Sequence, residues 1–471
     1  MYIYAYAKQA GYFVNVSQTI SENNMMQLNP QADPVQEPPK KNPPPQQKTE
    51  AATRTASNHD ERKRKIRRFL AWMRKHGAVF TKNVTLEEIP KMGLGMKAYE
   101  SLKPNERYLY IPKKLLISHH LVKTSPSLAS IFTTLHKEMG ASVKYDIMFY
   151  LLHHRFVKGR KSFWKPYLDI LPQDFPNSPI FWNDADLSKL EGSPLHSSIL
   201  NRREQIRRQY EAIKQRIFER FPHAFPPHLI TLKAFMWAEW VYSSRLFFIE
   251  GANPREHLVP LADMVNCEEP VPMVKDQHQF VQLTSDRSGD VELRSNRAFQ
   301  AGDQVFESYG YKSNGELLQY EGFLIENNPN DCVWINIPLF HRRDALQRLK
   351  LSNNPSPEYC FSPSAIETQR RFPQNSIALL RFYAASDDDV AAASDGSFFH
   401  RPQSTYHERE TFLAFKGIVQ RLLDNNPFHE QSMRSYARSP VPTKLAVSFR
   451  VFEKQQHVKL LSAIQYHLDR F

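Results

Sequence analysis

The stretch "HLVPLADMVNC" (His257–Cys267) sets an acid, Asp263, and an amide, Asn266, three residues apart in an otherwise apolar run. Burying such groups costs free energy unless each polar atom has a partner. Each of these two polar side chains is therefore expected to have a partner, and the sequence has to show what they are for.

The composition predicts a globular protein of two or three domains. The chain has 471 residues, of which 41% are hydrophobic and 12% aromatic, enough to fill a sizeable core. No window approaches the roughly 18 uninterrupted apolar residues of a membrane span, and the first residues lack the order of a secretory signal. We expect an intracellular protein of the cytoplasm or nucleus, without a membrane span.

The three cysteines, Cys267, Cys332 and Cys360, are few and far apart in the chain. Neither a disulfide framework nor a zinc-binding pattern is present, so reduced thiols are expected. Two histidine doublets, His119-His120 and His153-His154, are interpreted as surface or structural residues. The sequence therefore predicts no metal site.

Much of the net charge of +13 lies in two runs, "ERKRKIRR" (Glu61–Arg68) and Asn201–Arg220. In the second run apolar residues recur at helical spacing, which makes the arginines and lysines its solvated face: Ile206, Tyr210, Ile213, Ile217. Because that helix lacks interleaved aromatic residues, nucleic-acid binding is the less favoured interpretation. The first run is either a nuclear-import signal or the start of an amphipathic helix that Gly77 closes.

The order of elements predicts an α+β fold. Residues 1–60 are rich in Pro and Gln and are expected to form a disordered leader. Strand patterns follow over 84–118, helical patterns up to about 250, and strand patterns again up to about 309. From Asp344 onward the sequence is mainly helical, which indicates a separate helical module.

The motif "GLGMKA" (Gly93–Ala98) formally matches a dinucleotide-binding fingerprint. That fingerprint needs a helix to begin at the glycines, whereas here a turn at Pro104-Asn105 and a strand follow. The glycines still permit close approach of a ligand or strand. The sequence also lacks the nucleophile elbow, phosphate-binding loop, zinc-protease and kinase signatures.

Several segments, in this order, resemble the SET-domain protein methyltransferases, in the subfamily of the Rubisco large-subunit lysine methyltransferase and the actin-histidine methyltransferase. The matching pieces are "MGLGMKAYESLKPNERYLYIPKKLLIS", "SFWKPYLDILP", "SSRLF", "LVPLADMVNC", "QAGDQVFESYGYKSN" and "GFLIENNPND". The pieces "SIALLRFYAASDDDV" and "KLAVSFRVFEKQQHVKLL" are similar to the helical C-terminal domain of that family.

The resemblance implies an SET-domain β-fold over residues 61–325 with a helical insert at about 120–250. An all-α domain over 326–471 would follow, resembling the substrate-binding domain of the Rubisco enzyme. The activity implied is protein methylation with S-adenosyl-L-methionine as the cofactor and a protein as the substrate. In that family the Asn segment and the later Tyr segment lie together in a knot-like crossing beside the cofactor.

The resemblance also implies roles for particular residues. Tyr309 matches the tyrosine near the transferred methyl group. The cofactor contacts implied are Gly93, Leu94, Gly95, Ser244, Arg245, Asp263, Asn266 and Cys267. The acceptor pocket implied is formed by Phe247, Ala262 and Tyr311.

The pairing of Phe247 with Ala262 is similar to that in lysine-methylating relatives, so we expect a lysine acceptor. A histidine acceptor remains the alternative. Two departures from the family keep a third hypothesis open, a catalytically weakened scaffold that binds peptides. Cys267 stands where the family has histidine, and Glu321 stands directly before "GF", where plant relatives have tyrosine.

Overall fold

The computed structural model describes residues 45–81, 83–90, 92–140, 142–249, 255–267, 283–286, 288–352, 354 and 357–471, with side chains from residue 60 onward. The residues His59–Phe471 form one compact unit. Of the predicted leader, residues 1–44 lie outside the described part. Residues 45–60 are the first part of the helix Pro45–Lys75, where alanine, glutamate and arginine favour helix.

The strands of the unit His59–Phe471 form small sheets. Their bounds are β1 (Val79–Phe80), β2 (Val84–Ile89), β3 (Gly93–Ala98), β4 (Arg107–Ile111), β5 (Ile117–Ser118), β6 (Leu246–Phe248), β7 (Glu256–Leu258), β8 (Asn266–Cys267), β9 (Leu283–Ser285), β10 (Val291–Arg294), β11 (Gln304–Glu307), β12 (Val333–Asn336) and β13 (Glu358–Phe361). The strand orders are β1-β4-β10-β9, β2-β3-β11-β8, β5-β7-β6 and β12-β13. The motif "GLGMKA" is the strand β3, so no helix begins at its glycines and the dinucleotide fingerprint is excluded.

One helix precedes the first strand, and the other helices fill the segment between β5 and β6 and most of the chain after β11. Their bounds are α1 (Pro45–Lys75), α2 (His119–Lys123), α3 (Ala129–Met139), α4 (Val143–Leu152), α5 (Lys165–Ile170), α6 (Asp184–Leu187), α7 (Pro194–Ile213), α8 (Leu232–Arg245), α9 (Asn314–Glu316), α10 (Arg343–Arg348), α11 (Pro363–Gln369), α12 (Gln374–Ala384), α13 (Asp387–Ala392), α14 (Thr405–Asp424), α15 (Glu430–Ser435) and α16 (Val441–Leu468). Wider π-helical turns extend α4, α7 and α9 at their C-terminal ends. The predicted α+β class with a helical C-terminal region is confirmed.

The buried apolar residues of His59–Phe471 form separate clusters. One core is built from residues between Ile66 and Val305, and a second from residues between Val333 and Ile464. A smaller cluster joins residues of the insert, such as Leu190 and Ile199, to Phe449 of α16. The division of the chain near residue 325 stays a prediction.

The basic helix forms as predicted, with one exception on its charged face. The apolar positions of α7 and its extension are buried, as the spacing indicates. Arg202, however, is 6% exposed. Its guanidinium donates to the carbonyl of Gln319 at 2.7 Å and to the hydroxyl of Ser243 at 3.0 Å, and it lies 4.4 Å from the ring centroid of Tyr320. Arg202 therefore fixes α7 against neighbouring elements and is not part of the solvated face.

The expectation of reduced thiols is wrong for two of the three cysteines. Cys332 and Cys360 form a disulfide with their Cα atoms 5.4 Å apart. Pairing of β12 with β13 brings Cys332 and Cys360 together, although 28 residues separate them in the sequence. Their spacing in the sequence gives no sign of this proximity. Cys267 is the remaining cysteine and forms no disulfide among the described residues. Among the described helices, none has the length and apolarity needed to cross a membrane.

Candidate active site

Strand β11 brings together three segments that are distant in sequence. It pairs in parallel with β8, where Phe306 lies opposite Asn266 and Glu307 opposite Cys267. On its other side it pairs antiparallel with β3, where Gln304 lies opposite Lys97. The segments "GLGMKA", "MVNC" and "QVFESYG" therefore meet at one place, and the polar side chains of "HLVPLADMVNC" lie at this crossing.

A tight turn before β8 holds the aspartate of that stretch. Leu261 has a φ of 81°, an uncommon conformation for a residue with a branched side chain, and a 3₁₀ turn over Ala262–Met264 follows. Asp263 is 7% exposed. Its carboxylate accepts a hydrogen bond from the Tyr167 hydroxyl at 2.7 Å, and its carbonyl and carboxylate oxygens accept from Nη1 of Arg245 at 2.6 and 3.3 Å.

Burial raises the pKa of Asp263, while the Arg245 guanidinium and the Tyr167 hydroxyl act in the opposite direction. The two partners therefore favour the charged carboxylate at a site that otherwise disfavours it. Nε of Arg245 and Oδ1 of Asp263 are buried and have no hydrogen-bond partner within the described residues. The pair of Arg245 and Asp263 therefore stabilises the turn. Each residue also has one buried atom that could hydrogen-bond to another group.

Gly95 on β3 lies under two side-chain amides. A Cβ built on Gly95 would lie 2.7 Å from Nδ2 of Asn266, 2.8 Å from Nε2 of Gln304 and 2.6 Å from Cγ1 of Ile89. Both amide nitrogens are buried, and neither has a hydrogen-bond partner in the part of the chain that the structure describes. Buried amide donors without partners are uncommon in proteins and indicate a place for a ligand. Glycine makes room for the two amides, since a larger residue at position 95 would displace them.

Tyr309, just beyond the end of β11, points its hydroxyl at the turn. The hydroxyl donates to the carbonyl of Val265 at 3.0 Å, and the ring packs edge-on against Phe323 at 6.2 Å. Burial raises the pKa of Tyr309 well above its ordinary value, and the carboxylates of Glu307 and Glu321 raise it further. The phenol is therefore neutral at physiological pH, a positioned hydrogen-bonding group rather than a base.

We compared the chain with known proteins. No family model matches the chain. It is 31% identical over 268 residues to the [fructose-bisphosphate aldolase]-lysine N-methyltransferase, chloroplastic, of Arabidopsis thaliana, covering 56% of this chain and 52% of that protein. It is 28% identical over 287 residues to the actin-histidine N-methyltransferase of Xenopus tropicalis, covering 60% and 47%. The chain thus spans about half the length of the curated relatives that it matches.

Solved structures match over more of the chain. The structure of Rubisco LSMT bound to AdoMet superposes with a TM-score of 0.70 at 21% identity, covering 86% of this chain and 92% of that one. The SET domain of LSMT bound to methyllysine and AdoHcy superposes with a TM-score of 0.71 at the same identity. The chain has the SET-domain fold of Rubisco LSMT. The family resemblance inferred from the motifs is confirmed by the same comparisons.

Within this SET-domain fold, the first departure from the family pattern is Cys267. Burial raises the pKa of its thiol to about 12, so the thiol is neutral and unreactive at physiological pH. The residue takes part in the crossing through its backbone, opposite Glu307 in the parallel pair. A small side chain is compatible with that backbone role.

The second departure is Glu321, whose side chain is 5% exposed. Its carboxylate pairs with Nζ of Lys312 at 2.5 Å, and that ammonium lies 5.9 Å from the ring centroid of Tyr309. Tyr320 faces another way, since its ring packs against Arg202 at 4.4 Å. The ring of Tyr320 therefore packs against Arg202, and the ion pair of Glu321 with Lys312 lies beside Tyr309.

The other residues expected at the site lie in several places. Leu94 is a buried residue of β3, and Ala262 is fully buried in the 3₁₀ turn. The Ser244 hydroxyl donates to the Trp240 carbonyl of its own helix at 2.7 Å, so it is bonded within α8. Phe247 lies on β6, opposite His257 in a different sheet from the crossing.

Tyr311 lies partly buried two residues beyond Tyr309. Three residues at the site were not predicted: Gln304, Tyr167 and Lys312. Gln304 carries a weak sequence signal, since it is a polar residue at the start of the strand that ends near Tyr309. Tyr167 lies about 100 residues before its partner Asp263, and the sequence shows no link between them.

Proposed function

We propose that this protein is an S-adenosylmethionine-dependent protein methyltransferase and that its acceptor is a lysine side chain. The observation that carries the proposal is the pair of buried, unpartnered amides of Asn266 and Gln304 over Gly95, next to the neutral phenol of Tyr309. A polar cradle at a strand crossing suits a zwitterionic ligand with many hydrogen-bonding groups. A scaffold without a cofactor has no need of these donors.

The residues present fit the cofactor of the neighbouring structures, which are bound to AdoMet or AdoHcy. The amides of Asn266 and Gln304, the free Nε of Arg245 and the backbone of Gly93–Gly95 would hold it. The Arg245 guanidinium also suits a carboxylate group. S-adenosylmethionine, when bound, supplies a methyl group on a positively charged sulfur.

The chain's own residues contribute alignment and exclusion of water. The Tyr309 hydroxyl donates its proton to the Val265 carbonyl, so its lone pairs are left to face the reacting groups. Because the pKa of Tyr309 is raised, this phenol does not accept the proton of the acceptor amine. That proton must leave before transfer, which desolvation of the amine favours by lowering its pKa. In-line alignment of two reactants then supplies much of the rate gain.

Three observations support lysine as the acceptor. Phe247 and Ala262 match the aromatic and small pairing of lysine-methylating relatives, and neighbouring structures contain lysine or methyllysine. The Lys312 ammonium lies 5.9 Å from the Tyr309 ring centroid, so the surroundings of Tyr309 already contain one lysine side chain. Relatives named for actin-histidine methylation make histidine the alternative acceptor.

The helical region over 326–471, which has an apolar core of its own, is proposed to bind the protein substrate, because its sequence resembles the substrate-binding domain of the Rubisco enzyme. Its likeness in fold to LSMT extends over most of the chain. A location in the cytoplasm or nucleus stays a prediction from the sequence.

The test has two stages. Calorimetry should detect binding of S-adenosylmethionine, and labelled methyl groups should pass from it to a protein of a cell extract. Hydrolysis of the labelled protein should yield methyllysine. Methylhistidine instead would contradict the acceptor but not the enzyme class. Absence of cofactor binding at millimolar concentration would contradict the enzyme class and favour the scaffold.

A further inference from the structure

Three short helices of the insert bring two imidazoles onto one buried carboxylate. His119 is the first residue of α2, His136 lies in α3, and Asp146 lies in the first turn of α4. Nδ1 of His119 contacts Oδ2 of Asp146, and Nε2 of His136 lies 2.7 Å from Oδ1 of the same carboxylate. One ligand-type atom from each residue lies within 4.8 Å of the other two.

The Asp146 carboxylate lacks the lysine or arginine partner that usually accompanies a buried acid, among the residues that the structure describes. Asp146 is fully buried, and among the residues that the structure describes it pairs with no lysine or arginine, only with the two histidines. A buried carboxylate needs a compensating charge. A divalent cation held between the carboxylate and the two imidazole nitrogens would supply that charge.

We propose that His119, His136 and Asp146 bind a divalent transition-metal ion of the Zn²⁺ class. Two imidazole nitrogens and one carboxylate oxygen are donors that zinc prefers in proteins. Both imidazoles are partly exposed, with 15% and 16% of their side-chain surface accessible. Water can therefore complete the coordination on the outer side, which makes an open site with three protein ligands.

The geometry requires only a small adjustment. Ligand atoms about 2.0–2.2 Å from a tetrahedral zinc ion lie roughly 3.4 Å apart. The His136 nitrogen is 2.7 Å from the carboxylate, so it would move outward by less than 1 Å. The rings already lie nearly parallel, 12° apart with centroids at 5.7 Å. Rotation of two partly exposed side chains achieves this change without moving the helices.

The second doublet, His153-His154, shows what structural histidines look like in this protein. Nδ1 of His153 is bonded to the Ala224 carbonyl and Nδ1 of His154 to the Ser162 hydroxyl, and both residues are buried. His119 differs because its ring faces a shared carboxylate and solvent. The proposed ion would tie α2, α3 and α4 together.

The experiment uses the full chain, free of any affinity tag and stripped of metal with a chelator. Calorimetric titration with zinc chloride should show one equivalent bound, and His136→Gln or Asp146→Asn should weaken binding at least about 10-fold. His120→Gln is the matched control, since His120 is exposed and adjacent to His119. The thermal unfolding midpoint of the wild type, but not of His136→Gln, should rise when zinc is added.

Cobalt provides a second measurement that does not depend on stability. Bound Co²⁺ should give visible absorption bands of nitrogen and oxygen coordination that change in Asp146→Asn and persist in His120→Gln. The proposal is wrong if the wild type binds no zinc or cobalt, or if His136→Gln binds as tightly as His120→Gln. In that case the group is a hydrogen-bonded brace, and Asp146→Asn lowers the unfolding midpoint equally with and without metal.

Discussion

Replacing Gly95 with alanine should separate cofactor binding from folding. The new Cβ would lie 2.6–2.8 Å from three heavy atoms, whereas carbon contacts are optimal near 3.5–4.0 Å. The neighbours must therefore move by roughly 1 Å. Overpacking of this kind costs about 1–3 kcal/mol of folding free energy. The chain should still fold, since Gly95 has an ordinary strand conformation.

The effect on the cofactor follows from the atoms displaced. Two of the three are the amide nitrogens of Asn266 and Gln304, which we propose as donors to S-adenosylmethionine. Loss of one hydrogen bond to a charged group costs about 1.5–3 kcal/mol. Since 1.4 kcal/mol corresponds to a factor of ten, the dissociation constant should rise about 10- to 150-fold, measured by calorimetry.

Two further variants make the assay decisive. Gly417→Ala on α14 is the matched control, because its nearest neighbour would be 3.7 Å away; it should leave binding unchanged. Adding Ile89→Ala to Gly95→Ala removes the contact with Cγ1 of Ile89 and should recover stability but not affinity. If stable Gly95→Ala binds the cofactor as tightly as the wild type, the cradle is not the cofactor site.

Four other outcomes are expected. Tyr309→Phe should lower the turnover number about 10²-fold or more with little change in cofactor affinity, measured by single-turnover transfer and calorimetry. Arg202→Ala should cost about 3–5 kcal/mol in urea unfolding because it leaves buried groups unpaired, whereas exposed Arg207→Ala should change stability by no more than about 0.5 kcal/mol. A thiol reagent at pH 8 should react poorly with native Cys267, find one thiol after unfolding without reductant, and find three after reduction. Burial lowers the pKa of His457 to about 4, so protonation favours the unfolded chain and stability should fall by about 2 kcal/mol between pH 7 and pH 5; His457→Leu should flatten this dependence, and an unchanged slope would contradict it.

Local pattern was sufficient for the helices with a clear apolar face. The spacing of Ile206, Tyr210 and Ile213 predicted α7, and all three are buried. Local pattern did not predict the burial of Arg202, because nothing in the sequence distinguishes it from the solvent-exposed arginines beside it. Its partners lie on the α9 extension and α8, and only packing brings them within hydrogen-bond distance.

The candidate site divides in the same way. Asn266 and Tyr309 could be selected from their motifs, because a polar residue in an apolar run and a tyrosine at a strand end are visible in sequence. Gln304 and Tyr167 could not, since each acquires its role from an element far along the chain. The same holds for the disulfide and for the group of His119, His136 and Asp146, which three helices assemble.

By itself the sequence determined which segments are strands and helices, and it marked the acid and amide of "HLVPLADMVNC" as groups that need partners. Periodicity and turn residues act over a few positions, so they are readable locally. Only the tertiary structure decided which partners those groups meet. Parallel pairing of β8 with β11 sets Asn266 over Gly95 and Tyr309 against Val265, and such non-local pairing depends on the packing of the whole core rather than on any short stretch of chain.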